Sequence, residues 1–216
     1  MRICIGIISY FPEKVKIRNN RLCKLIKLIE KCNELFDLPI YIIAQNWKDL
    51  DISMYQNVNI IKYENKLGIV GARKELRKWF LESNYDYLIM LDDDCELRGN
   101  KANGKMYIDQ IKDHPKMCGL FNQTLLKLFA ISKELFKEVD YGDGSVEDGD
   151  FFEDILFVNS LKKLYPDKIF IFNKNGLYEI SNNYNDPLST WYTGQFNKKE
   201  IGDRTRKILE KIKEAN

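Results

Sequence analysis

Apolar runs of strand length alternate with stretches of helical period along the first half of the chain. Ile3 to Ile8 is an apolar run that ends at Ser9-Tyr10 and predicts a buried first strand. From Arg18 to Leu35 and just beyond, apolar side chains fall at 22, 25, 26, 29, 35 and 36, the spacing of one helix face. Pro39 to Ala44 predicts a second strand and Val58 to Tyr63 a third. Gly71 to Ser83 predicts a helix that stops at Ser83-Asn84, and Tyr85 to Leu91 a fourth strand. That fourth strand is almost wholly apolar, as a central strand covered on both faces must be. Such alternation predicts an α/β fold with a mixed, mostly parallel sheet flanked by helices. In sheets of this kind ligands bind beyond the carboxyl ends of the strands.

The second half is less regular. Leu120 to Ile131 has room for one or two strands, and Lys133 to Val139 predicts a short helix. Asp140 to Asp150 is dense in Gly and Asp and predicts a loop. Phe151 to Leu164 predicts a helix, and Lys168 to Asn173 and Gly176 to Ile180 predict strands. Ser181 to Phe196 predicts an irregular loop containing Pro187, Trp191 and Gly194; Lys198 to Ala215 predicts a closing charged helix. No repeat, low-complexity tract or shift in composition divides the chain, so a single domain over residues 1–216 is expected.

Composition and charge narrow the choices. Hydrophobic residues make up 44% of the chain, enough to build a core, which excludes a disordered protein. The 34 Lys and Arg nearly cancel the 32 Asp and Glu, leaving +2, so the overall balance carries no signature of a general nucleic-acid binder. The cysteines, at 4, 23, 32, 95 and 118, are odd in number and form no C-x-x-C pair. Free thiols in a reducing cytoplasm are therefore expected, not a disulfide framework or a zinc ribbon. The one histidine, His114, excludes any metal site that needs two; within Lys112-Asp113-His114-Pro115-Lys116 it is expected on the surface of a polar turn. The opening apolar run lacks the length and cleavage site of a secretion signal. No segment reaches the roughly 18–20 apolar residues of a membrane span.

Asp92-Asp93-Asp94 follows the buried fourth strand at once. Three like charges at a half-buried rim are costly unless something neutralises them. A divalent cation does so, and hard carboxylate oxygens suit Mg²⁺ or Mn²⁺. Such a cation can bridge a diphosphate and stabilise charge on a leaving group. Residues two apart on an extended exit share a face, so Asp92 and Asp94 can address one ligand. The alternative is a solvated acidic turn, the common fate of charge runs; the position after a buried strand favours the site.

Three segments occur in order: Asn65-Lys66-Leu67-Gly68-Ile69-Val70-Gly71-Ala72-Arg73, the acidic triplet, and Gly149-Asp150-Phe151-Phe152-Glu153-Asp154. Together they resemble the family 2 glycosyltransferases, which have the Rossmann-like GT-A fold. The first is similar to the family's N-x-G-x-x-x-A-R segment, the second to its D-x-D motif, and the third to the E-D pair that opens a helix near the acceptor. The likeness spans Met1 to Leu164.

The resemblance implies transfer of a sugar from a nucleotide-sugar donor, most simply a UDP-sugar, to an acceptor hydroxyl. It implies a donor half at about 1–98, an acceptor half at about 99–197 and the terminal helix at about 198–215. Asp92 would face the ribose or uracil side of the donor and share the cation with Asp94, with Asp93 beside them. Arg73 would lie near the nucleotide, and Gly68 in the turn before it. Ser9 and Tyr10 would form a nucleotide-binding turn. Asp154, with Glu153, would supply the base that deprotonates the acceptor in an inverting displacement. The chain departs from the family in Gln45-Asn46, where an aspartate is usual, and in Lys74, where an asparagine is usual. Asn46 can still hydrogen-bond a base or ribose, less strongly than a carboxylate. No histidine follows His114 to complete a metal shell.

Taken without the motifs, Glu153-Asp154 reads equally as acidic charge favoured at a helix N-terminus, and Arg73 as a helix-surface arginine or part of an anion-binding helix start. Trp191 and Tyr192 suit stacking on a sugar or base, or core packing. Asp186, Ser189 and Thr190 lie in the same loop, which suits a lid over the donor. The terminal helix mixes Arg204, Arg206, Lys207, Lys211 and Lys213 with Glu200, Asp203, Glu210 and Glu214, a solvated face.

The acceptor is left open between a glycan, another hydroxyl compound and DNA, since some small viral GT-A enzymes glycosylate hydroxymethylated bases. A basic groove flanking Asp154 would favour DNA; an aromatic, neutral cleft would favour a sugar. Outside this chemistry stand a nucleotidyltransferase, which needs a glycine-rich basic loop where this chain has Ser9-Tyr10-Phe11-Pro12-Glu13-Lys14, and a GT-A module used only for binding, which has no need of both acidic pairs.

Overall fold

The computed structural model describes residues 1–10, 15–47, 52–65, 67–93, 95–120, 128–139, 141, 153–172 and 178–180. In chain order the elements are β1 (Ile3–Tyr10), α1 (Val15–Phe36), β2 (Ile40–Gln45), β3 (Val58–Tyr63), α2 (Gly68–Glu82), β4 (Tyr87–Asp92) and β5 (Glu96–Arg98). They continue with α3 (Lys101–Asp113), β6 (Cys118–Leu120), β7 (Leu128–Ser132), α4 (Lys133–Glu138), α5 (Glu153–Leu164), a 3-10 turn (Pro166–Lys168), β8 (Ile169–Ile171) and β9 (Tyr178–Ile180).

The main sheet has the order β3-β2-β1-β4-β7-β6-β8, and β5 pairs with β9 in a small second sheet. β1, β2, β3 and β4 run parallel; β7 is reversed against both β4 and β6, and β8 lies parallel to β6. The sheet is therefore mixed and mostly parallel, as the alternation of the sequence predicts.

Period-two alternation along the strands divides the core into two layers. Ile3, Ile5 and Ile7 point to the face covered by Leu25, Leu28, Ile29 and Cys32 of α1 and by Tyr107 and Ile111 of α3. Cys4 and Ile8 point to the other face, covered by Leu76 and Phe80 of α2, Leu135 and Phe136 of α4, and Phe157 and Leu161 of α5. Each fully buried Leu, Ile or Phe contributes roughly 1.5–3 kcal/mol of transfer free energy. The continuous apolar runs of β1 and β4 follow from this double cover.

The sequence pattern predicts no element between Arg98 and Met117, yet α3 fills most of that span. Asn100 and Asn103, which read as turn residues, form a reciprocal cap: the Asn100 side chain accepts the amides of Ala102 and Asn103, and the Asn103 side chain accepts the Asn100 amide. The buried stripe is only Gly104, Tyr107 and Ile111, too narrow to stand out as an apolar period. α2 starts at Gly68, before the expected Gly71, because the Leu67 amide is held by the Gln45 side chain at 2.8 Å.

The expected surface position of His114 is corrected. It is half-buried, its ring stacks on Phe170 at 4.2 Å, and Nδ1 lies 2.8 Å from the Gln110 carbonyl at the end of α3. All five cysteines carry free thiols, four of them buried. Among the described residues no helix is long and apolar enough to cross a membrane. Asp94, residues 140 and 142–152, the expected 181–196 loop with Trp191 and Tyr192, and the expected terminal helix lie outside the described residues.

Candidate active site

The chain leaves β1 through α1 toward β2 on one side, then returns from β3 through α2 to β4 on the other. β1 and β4 are thus neighbours whose connections run in opposite directions. This is the topological switch point, where an open α/β sheet has its ligand crevice. The β1–β4 ladder runs from Ile3↔Tyr87 to Ile8↔Asp92. Ser9-Tyr10 and Asp92-Asp93 therefore meet at the mouth of that crevice.

The alternation that builds the two core layers also separates the carboxylates. Asp92 continues the Leu88–Met90 face and turns toward α2. Its partner is Arg73, whose Nη2 stands 3.1 Å from Oδ1 and 3.3 Å from Oδ2. The arginine is 2% exposed and the aspartate 16%, so the cation is the deeper member of the pair. Burial on α2 excludes the helix-surface reading of Arg73. Asp93 continues the Ile89–Leu91 face and turns toward α1. There the Ser9 hydroxyl donates to its Oδ2 at 2.7 Å, and Trp47 Nε1 donates to Ser9 Oγ at 3.2 Å.

Asn46 and Gly68, also expected, lie at the end of β2 and the start of α2. Asn46, at the exit of β2, takes a left-handed conformation (φ 57°) that asparagine tolerates well, and its amide donates to the Tyr63 carbonyl at 2.8 Å. Gly68 opens α2 at φ 73°, where a side chain would strain the turn. At the carboxyl end of β3 the Tyr63 hydroxyl donates to Glu75 at 2.6 Å. Burial, and then that bond to a carboxylate, push its pKa up to about 12. Glu153 and Asp154 open α5.

A chain of rings ties that helix start to the acidic rim. Phe157, one turn into α5, stacks on Tyr141 at 4.6 Å; the Tyr141 ring lies 5.8 Å from the Arg73 guanidinium carbon, and its hydroxyl meets Met90 Sδ at 3.4 Å. The first turn of α5 and the end of β4 are thereby joined through side chains on one face of the sheet.

Among the described residues no group of three or more His, Cys, Asp or Glu is gathered to hold a metal ion. Asp92 and Asp93 face opposite layers and cannot chelate one ion together. The described rim offers one carboxylate, Asp92, to a hard cation, whose other ligands would have to be phosphates and water.

Three residues of this region escaped the sequence analysis as site residues. Trp47 carries a signal, a tryptophan just beyond the end of β2. Gln45 sets the entry to α2. Tyr141 sits in a stretch whose Gly and Asp content masks it.

No family model matches this chain, and no curated protein matches it. Solved structures do. The chain resembles S. aureus TarS 1-349 with a TM-score of 0.59 at 14% identity, covering 82% of this chain and 60% of that one. The same fragment was solved with UDP (TM-score 0.57, 15% identity, 82% and 60% covered) and with UDP-GlcNAc (0.52, 14%, 88% and 61%). A cytidylyltransferase from Leptospira borgpetersenii serovar Hardjo-bovis aligns with a TM-score of 0.54 at 12% identity, over 82% of this chain and 77% of that one. The chain spans about 60% of the TarS fragment it matches. These likenesses establish the fold: a mixed, mostly parallel Rossmann-like sheet of the GT-A type.

Proposed function

We propose that this chain is a metal-dependent glycosyltransferase that moves a sugar from a nucleotide-diphospho-sugar, most simply a UDP-sugar, to an acceptor hydroxyl. The observation that carries the reading is the pair of anchored carboxylates at the β1–β4 switch point, Asp92 backed by buried Arg73 and Asp93 held by Ser9. The fold shared with a protein solved in complex with UDP and UDP-GlcNAc supports the donor class.

In this reading the nucleotide lies across the rim formed by Ser9, Tyr10, Asn46, Gly68 and Asp92, with Arg73 holding Asp92 from below. Asp94 and Asp92 would hold Mg²⁺ or Mn²⁺, which when bound would offset the charge that builds on the diphosphate. Asp154, with Glu153 beside it, takes the acceptor's proton as the acceptor oxygen attacks the anomeric carbon. The bond from that carbon to the diphosphate breaks, and UDP leaves with the electron pair. Attack opposite the leaving group inverts the anomeric centre.

Nucleotidyl transfer is the second reading, favoured by the likeness to a cytidylyltransferase. It produces pyrophosphate from a nucleoside triphosphate and a sugar phosphate, whereas glycosyl transfer releases a nucleoside diphosphate. The test is a thermal-shift screen of UDP-, GDP-, CMP- and TDP-sugars with and without Mn²⁺, followed by assay of the released phosphate species. A shift that requires both Mn²⁺ and one nucleotide, with UDP released on addition of glycan or hydroxymethylated DNA, supports the proposal. Pyrophosphate release transfers the assignment to the second reading. Asp94→Ala is expected to abolish the Mn²⁺-dependent shift, and normal Mn²⁺-dependent activity in that variant removes Asp94 from the metal role.

A further inference from the structure

We infer that Asp93, Ser9 and Trp47 form a latch that fixes the floor of the donor crevice, and that Asp93 is a positioning residue that touches neither donor nor cation. The inference rests on the donor site proposed above and gives different work to two of its rim residues.

The backbone ladder between β1 and β4 ends at Ile8↔Asp92. The next residues on the two strands are Ser9 and Asp93, and there a side-chain bond of 2.7 Å takes over from the ladder, between residues 84 positions apart. On its other side Ser9 is still paired with Ala44 of β2, and the chain leaving β2 brings Trp47 back to donate to the Ser9 oxygen at 3.2 Å. Three strand ends thus converge on one hydroxyl. All three side chains are buried. A hydroxyl has one proton, and Ser9 gives it to Asp93, so it has none to offer a phosphate. Asp93 points toward the α1 layer, away from the Arg73 side where Asp92 sits. A carboxylate that accepts a hydroxyl proton in a buried place makes a stronger bond than a neutral acceptor would. The latch therefore sets the separation of β1 and β4 where their connections diverge. Those strand ends are the floor on which the proposed donor rests.

The test measures UDP affinity in the presence of Mn²⁺ for wild type, Ser9→Ala, Asp93→Ala, Asp93→Asn and the Ser9→Ala/Asp93→Ala double variant, with circular dichroism as a check of folding. Ser9→Ala and Asp93→Ala are each expected to weaken UDP binding about tenfold, and the double variant to be no worse than Ser9→Ala, since Ser9→Ala already loses both the Ser9–Asp93 and the Trp47–Ser9 bonds. Asp93→Asn keeps an oxygen that accepts the Ser9 proton, so it is expected to stay within about threefold of wild type. In turnover, Ser9→Ala is expected to raise the donor KM while kcat holds within about twofold. If Asp93→Asn is as damaging as Asp93→Ala, or the two alanine effects multiply in the double variant, Asp93 is a direct ligand and the latch is overturned. If wild type binds no nucleotide under any condition, the donor reading falls and the latch with it. A normal wild-type response with an additive cycle removes the latch alone.

Discussion

Arg73 of α2 and Asp92 at the end of β4 form an ion pair of 3.1 Å in which the arginine is the buried partner and the aspartate reaches the rim. The pair supplies Asp92, the first of the three acidic residues, with a counter-charge from within the protein. It also fixes the orientation of Asp92, because one guanidinium nitrogen lies near both carboxylate oxygens.

Arg73→Met should therefore destabilise the fold. Removing one partner of a buried pair costs about 3–5 kcal/mol, and the partial exposure of Asp92 lowers the expected loss to about 2–3 kcal/mol. The double variant Arg73→Met/Asp92→Asn should recover part of it, because the unpaired charge is gone. Urea unfolding midpoints of the three proteins decide the matter, and a single variant as stable as wild type would show that the pair contributes nothing.

Gly104 lies where α3 crosses α1, and an added Cβ would stand 1.9 Å from the Leu35 carbonyl oxygen. Helix propensity alone favours alanine over glycine by about 1 kcal/mol. The clash is with backbone, which cannot rotate away, and overpacking of this kind costs about 1–3 kcal/mol or more. Packing should win, so Gly104→Ala is expected to lower the melting temperature. A rise would mean that α1 and α3 separate freely.

The layered sheet was legible because its cause is local and periodic. Ile3 to Ile8 and Tyr87 to Leu91 are continuous apolar runs since both faces of β1 and β4 are covered, and the strand ends fell within about two residues of expectation. α3 was not legible, since its buried stripe is Gly104, Tyr107 and Ile111, and its capping asparagines look like a turn. The motif spacing picks out Arg73, Asp92 and Asp93 as candidates, and alternation along β4 sends the two aspartates to opposite layers. What spacing cannot give is the partner. The Ser9–Asp93 bond and the Phe157–Tyr141–Arg73 ring chain join residues far apart in sequence, and only the crossing of strands and helices brings them together.

Tyr87 provides a test with a pH signature. Its hydroxyl donates to the His114 carbonyl at 2.6 Å, lies 2.8 Å from the Met117 carbonyl, and accepts the Met117 amide at 2.9 Å, so it organises the turn between α3 and β6. Burial is the main reason its pKa rises from 10.0 to about 12, with the Met117 contact opposing. The unfolded chain loses this proton near pH 10 while the folded chain keeps it to about 12. Between those values the unfolded state binds fewer protons, so the stabilisation is full below pH 10 and declines as pH rises toward 12. Tyr87→Phe leaves the Met117 amide and the His114 carbonyl without this partner, at a cost of about 1–3 kcal/mol near neutral pH. Its deficit against wild type should then shrink from pH 10 to 12, because wild type alone loses the Tyr87 contribution there. Tyr41 and Tyr63, also raised to about 12, keep a residual slope in both proteins. Denaturant unfolding at a series of pH values reads the difference directly, and a deficit that stays constant through pH 12 would show that Tyr87 does not titrate in this window.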